Sequence, residues 1–137
     1  MSKRIERIIH SNKIYAIIIS KVNQFKKAGV DFVTNKTNFF QLGFIKYKKN
    51  HKIQFHYHTN NIRKIYCCSE VLLIQKGKLK VKFYDIKNNN IKKDRILYSG
   101  DIIMLFRGDH GFDIIVNVKI IEIKQGPYFG PKDKIFI

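Results

Sequence analysis

The sequence predicts an all-β protein, and three observations carry that prediction. Short apolar, β-branched runs recur along the chain with Gly, Asn, Ser and Asp clusters between them. No stretch between those runs has the length and period of a helix, so a βαβ arrangement has nothing to build its crossovers from. Residues 76–83 alternate strictly: Lys76, Lys78, Lys80 and Lys82 share one face of an extended segment, and Leu79, Val81 and Phe83 share the other. Strands at this spacing make a sandwich or a barrel.

The elements follow in order. Residues 14–20 form a β-branched first strand. Residues 21–28, closed by Gly29, suit one or two helical turns. After a turn at 35–38, strands are expected at 39–47 and 52–58. Residues 70–75 are apolar and end at Gly77, and 78–85 follow. A turn at Asn88-Asn89-Asn90 leads to a strand at 91–97. The turn Ser99-Gly100-Asp101 leads to another at 102–106. Strands at 112–116, 119–124 and 134–137 complete the pattern. The whole reads as one domain, 1–137, with an N-terminal strand and short helix or loop over 1–38 and the main β-structure over 39–137.

Composition bounds the function. The 137 residues carry 27 basic and 10 acidic side chains, a net charge of +17. Hydrophobic residues make up 45% and charged residues 27%, the balance of a globular chain rather than a disordered one. The chain has 22 Lys, 24 Ile and 11 Asn against 5 Arg, a bias that AT-rich codons explain. Base-reading proteins favour Arg for its bidentate fork. The charge therefore predicts weak phosphate attraction and no specific nucleic acid. The lysine face at residues 76–82 reads as the solvated side of a strand. The longest early apolar run, residues 14–19, is too short for a membrane span or a signal peptide. No membrane partner is expected, and a cytoplasmic location is. Cys67 and Cys68 are adjacent, show no CxxC spacing and read as unbridged thiols of a reducing compartment.

The residues with chemistry cluster in type. His56-Tyr57-His58 puts two imidazoles on one face of the expected strand, close enough to share a metal. Glu70 heads an apolar strand, where a carboxylate needs a partner, a metal or water. His110 lies in the turn Arg107-Gly108-Asp109-His110-Gly111 after the strand at 102–106. Three imidazoles and one carboxylate would hold a divalent transition metal (Fe, Mn, Ni or Zn) with positions left open. Gln54 has the parity of His56 and could reach substrate or a ligand. Arg63, Tyr66, Phe112 and Tyr128 are candidate pocket walls. Glu122, between Ile121 and Ile123, reads as an outward-facing carboxylate. His10 and His51 read as surface residues.

This pattern resembles the cupin superfamily. Its first motif is matched by His56-x-His58 and then Glu70-x6-Gly77, and its second by Gly100-x5-Phe106-x-Gly108-x-His110. Eleven residues separate His58 from Glu70 where the family has three or four, Phe106 replaces a proline, one residue is missing before His110, and the closing Asn of the second motif is absent. Residues 39–44, 69–77, 80–85, 108–112 and 122–128 also resemble small single-domain cupins of bacterial polysaccharide and O-antigen gene clusters. The resemblance implies a double-stranded β-helix (a jelly roll, or cupin-like barrel), a homodimer, and a metal at the barrel mouth held by His56, His58, Glu70 and His110. It implies a sugar-type small-molecule ligand, such as a sugar nucleotide of cell-surface polysaccharide synthesis. Isomerase, epimerase or oxygenase chemistry would follow. Two other readings remain open: a metal-independent epimerase or ketoisomerase using His58 or His110 with Tyr57, Tyr66 or Tyr128, and a non-catalytic binding module.

Overall fold

A computed structural model describes residues 5–85 and 87–137. The described chain is all-β: its only helical pieces are single 3-10 turns at Lys21–Asn23 and Gly130–Asp133. Among the described residues, no helix is long and apolar enough to cross a membrane. The eight strands are β1 Glu6–His10, β2 Lys13–Ile19, β3 Gly29–Phe32, β4 Gly43–Lys46, β5 Glu70–Tyr84, β6 Arg95–Tyr98, β7 Ile102–Leu105 and β8 Asp109–Lys124. They fall into two compact units, one of residues 24–66 and the other of the flanking segments.

The larger unit is an antiparallel sheet in the order β1-β2-β7-β5-β6, with β8 on the other side of β5. β1 and β2 form a hairpin that the sequence reading missed. Its two-residue turn, Ser11-Asn12, takes φ of 48° and 59°, the left-handed pair that suits the twist of a tight hairpin. The core cluster includes Leu72, Ile74, Leu79, Val81 and Phe83 of β5, with Ile103 and Leu105 of β7 and Leu97 of β6. Alternation along β5 explains this: its even positions face inward up to Ile74, and its odd positions do so from Leu79.

That switch of parity needs a defect in the ladder, and Gly77 marks it. The β5–β8 register shifts three times between Ile74 and Leu79. Gly77 has φ of 94°, and a Cβ there would lie 2.2 Å from the Asn117 carbonyl oxygen. Only glycine lets the two backbones approach so closely. The runs expected as separate strands at 70–75 and 78–85 are thus one bent strand, and so are those at 112–116 and 119–124. The bend curls the ribbon so that both ends of β5 share one core.

The turn before β7 is held by Asp101. Its carboxylate accepts the Tyr98 amide at 2.8 Å and the Lys21 amide at 3.0 Å, and the residue is buried. The turn read from Ser99-Gly100-Asp101 is therefore a built corner.

In the smaller unit, β3 and β4 pair antiparallel. The loop between them is tied by Gln41, whose side-chain oxygen accepts the Thr34 hydroxyl and whose amide donates to the Asn35 and Asn38 carbonyls. Two expectations need correction here. The strand expected at 39–47 is shortened to Gly43–Lys46 because that loop uses the preceding residues. The segment at 52–58 forms no strand: it has the alternation but no neighbouring strand to take its amides, and strand geometry persists only where they are paired. The C-terminal strand expected at 134–137 is likewise irregular chain after a 3-10 turn.

Candidate functional site

The larger unit holds a cleft of about 420 Å³. Glu70, His110, Phe112 and Glu122 line it, Leu72 lies at its apolar side, and residues 133–137 form another wall. Glu70 opens β5 and His110 lies at the far end of the β5–β8 ladder. In register, Glu70 pairs with Lys124, and His110 pairs with Phe83. The curl at Gly77 brings the two ends together, leaving Glu70 Oε2 and His110 Nε2 3.6 Å apart. Both side chains are mostly covered, 16% exposed for Glu70 and 28% for His110.

At 3.6 Å the contact exceeds hydrogen-bond length and works as a close electrostatic pair. The facing His110 imidazole, above all, draws the Glu70 carboxyl below its ordinary pKa. Burial pushes the other way, and the Lys124 and Lys134 ammonium groups add to the lowering. Glu70 is therefore an anion at neutral pH, as a metal ligand or an orienting carboxylate must be. Phe112 packs its edge against the His110 ring at 5.6 Å, fixing the ring plane.

Two residues that the sequence singles out lie within this unit. Glu70 faces the interior, with Leu72 and Ile74 buried beneath it. Phe112 is a wall of the cleft. Glu122 is exposed, as its outward reading expects, and it also stands opposite Leu72 in the ladder and borders the same cleft. The sign that could have revealed this is its parity with Ile120, which packs against the core. Sequence reasoning also missed Asp109 and Asp133, which bring the carboxylates around the cleft to four of the chain's ten. Tyr128 is not a wall of this cleft. It lies under the Lys124 ammonium, 5.2 Å from its ring centre.

His56, His58, Gln54, Arg63 and Tyr66 belong to the smaller unit and are exposed. The His56 and His58 rings remain neighbours, 5.3 Å between centres, although their segment is not a strand. His56 Nδ1 lies 2.8 Å from the Gln54 carbonyl oxygen. A carbonyl only accepts, so Nδ1 is the donor in this contact. Gln54 thus meets His56 through its backbone, not its side chain. Arg63 donates to the Asn61 carbonyl at 3.3 Å, and Tyr66 packs edge-on to Phe39 at 6.1 Å. Within either unit, the described residues contain no group of three or more His, Cys, Asp or Glu side chains placed to hold a metal ion. Cys67 and Cys68 are free thiols.

No protein-family model matches the chain, and comparison with curated proteins and with solved structures finds no match.

Proposed function

We propose that the chain is a metal-binding protein of the cupin kind whose cleft takes a sugar or sugar nucleotide, with Glu70 and His110 as metal ligands. The observation that carries this is their 3.6 Å separation. Two donors on one transition metal, each at its usual bond length, lie roughly 3 to 3.5 Å apart. The donor set fits in type as well: an anionic carboxylate and an imidazole, at the covered end of a cleft. The pair proposed is Glu70 and His110 alone; His56 and His58 stand in the smaller unit. A bound divalent metal would supply Lewis-acid polarisation of a carbonyl or hydroxyl oxygen.

The remaining lining suits a sugar. Glu122, Asp109 and Asp133 can accept hydrogen bonds from hydroxyl groups, and Phe112 and Leu72 offer apolar surface to the C–H face of a ring. Lys134 in the cleft lining suits a phosphate group. A cytoplasmic location belongs to the same proposal and agrees with the free thiols.

One observation favours a second reading without metal. A carboxylate beside an imidazole is also the arrangement of an oriented general base, with His110 taking a proton and Glu70 steadying the imidazolium. The two readings separate on metal titration of two variants. Under the first, Glu70→Gln and His110→Ala each weaken metal binding tenfold or more, about the low end for a disturbed metal shell. If Glu70→Gln binds as the parent does and His110→Ala does not, the acid is no ligand. If neither variant matters, the metal reading fails.

A further inference from the structure

The residues that the sequence singles out and the cleft does not use lie together in the smaller unit. His56, His58, Arg63 and Tyr66 all fall within residues 47–66. No strand or helix forms there, and every residue of the segment is exposed. Loops of more than about 12 to 15 residues without structure of their own are uncommon in compact units. The composition is not that of a disordered linker, which is poor in aromatic and β-branched side chains. Here Ile53, Phe55, Tyr57, Ile62, Ile65 and Tyr66 fall within 14 residues.

Two properties of the segment point to one kind of partner. The first is charge. Lys48, Lys49, Lys52, Arg63 and Lys64 lie in it, and the sequence has no carboxylate between Asp31 and Glu70. A polyanion is the complement of so one-sided a stretch. The second is aromatic surface. Phe55 is fully exposed, and Tyr57 and Tyr66 are 87% and 78% exposed. The His51 amide donates to the Lys48 carbonyl at 3.2 Å and closes a turn. That turn lays the Tyr47 and His51 rings face to face, 3.8 Å between centres and 4° between planes. A stacked pair beside Lys48 and Lys49 is a platform that another flat ring can extend.

Cations that hold phosphates, interleaved with rings on which bases stack, are the two parts of a sequence-independent single-strand binder. A duplex keeps its base faces inside and would use the charges alone. A lipid surface also takes basic and aromatic side chains. Residues 47–66, however, enter no helix or ladder, and burying such backbone among lipid chains is costly.

We propose that residues 47–66 bind single-stranded nucleic acid. Its phosphates lie on the lysines and Arg63, and its bases stack on the Tyr47–His51 pair, Phe55 and Tyr57. Charge and stacking carry the recognition, with no reading of base edges. The proposal is independent of the cleft and of any metal there.

Fluorescence anisotropy on the full chain tests this, with a labelled homopyrimidine oligonucleotide of roughly 15 nucleotides. The parent is expected to bind with a Kd in the micromolar range at low salt. Phe55→Ala/Tyr57→Ala should weaken that binding about tenfold or more, since two stacked bases are lost. The same variant should bind heparin, a polyanion without bases, within about twofold of the parent. Lys48→Gln/Lys49→Gln should weaken both and flatten the salt dependence, lowering the slope of log K against log salt by roughly 1.4. Lys76→Gln/Lys119→Gln removes the same charge from exposed positions of β5 and β8 and should cost less than the loop pair. Circular dichroism checks that each variant folds, and the other loop pair carries the comparison if one does not. No binding by the parent at low salt overturns the proposal. So does binding indifferent to Phe55 and Tyr57, or equally sensitive to Lys76 and Lys119, which is diffuse surface charge. Binding to phosphatidylserine vesicles that needs Phe55 and Tyr57, when the oligonucleotide does not, overturns it in favour of a lipid surface.

Discussion

Glu70 and His110 stand at opposite ends of the β5–β8 ladder and yet meet, carboxylate oxygen to imidazole nitrogen, at 3.6 Å. A straight strand the length of β5 would span roughly 45 Å. The meeting is therefore a consequence of curvature, and the curvature is concentrated where the register slips around Gly77. One glycine in a strand so ties the bend of the sheet to the chemistry of the cleft.

Gly77→Ala should accordingly be among the most damaging small substitutions. The added Cβ meets the Asn117 backbone at 2.2 Å, and φ of 94° is strained for any L side chain. We expect a loss of about 3 kcal/mol or more, since both strain and backbone displacement are involved. Urea denaturation of parent and variant measures it. A change under about 1 kcal/mol would mean that the bend does not depend on this approach.

Asp101→Ala should cost about 2 to 4 kcal/mol in the same assay. The substitution strands the Tyr98 and Lys21 amides, which the carboxylate now accepts in a buried corner. Asp101→Asn should cost less, because one amide oxygen can still serve one donor. If alanine and asparagine prove equally mild, water has replaced the carboxylate.

Cys68 reports on the charge of the cleft. Its thiol pKa is raised, first by burial, then by Glu70 and Asp133, against the lowering effect of Lys124. The thiolate is the reactive form, so Cys68 should alkylate more slowly than a free cysteine at pH 8. Glu70→Gln removes one of the raising charges and should speed the reaction about two- to threefold. An unchanged rate would show that the Glu70 carboxylate is not felt at the sulfur. Mass spectrometry of the peptide distinguishes Cys68 from Cys67.

Much of the larger unit was legible in the sequence because local signals and burial agree there. The alternation of Leu79, Val81 and Phe83, the corner at Ser99-Gly100-Asp101 and the apolar run at 102–106 all became what they predict. The joining of two expected strands into β5 was not legible, because Gly77 reads equally as a turn or as a bulge. The β1–β2 hairpin was hidden by Ser11-Asn12, a turn without the usual glycine. The place of Glu122 on the cleft wall depended on the β5–β8 register, which no local pattern specifies. Residues 52–58 show the limit of alternation: Ile53, Phe55 and Tyr57 have strand spacing, yet pairing decides whether a strand forms. Around the cleft, residue type and order singled out Glu70 and His110 as candidates. Their approach was a product of curvature that the sequence alone did not reveal.

The central claim, that Glu70 and His110 belong to a transition-metal site, is tested most directly by elemental analysis of the protein purified without a histidine tag. The account predicts close to one equivalent of Fe, Mn, Ni or Zn per chain. It also predicts loss of that metal in His110→Ala and its weakening in Glu70→Gln, with the fold retained by circular dichroism. Native protein with metal well below one equivalent, and unresponsive to each of those four ions added in turn, would contradict it and leave the cleft to acid–base chemistry or plain binding.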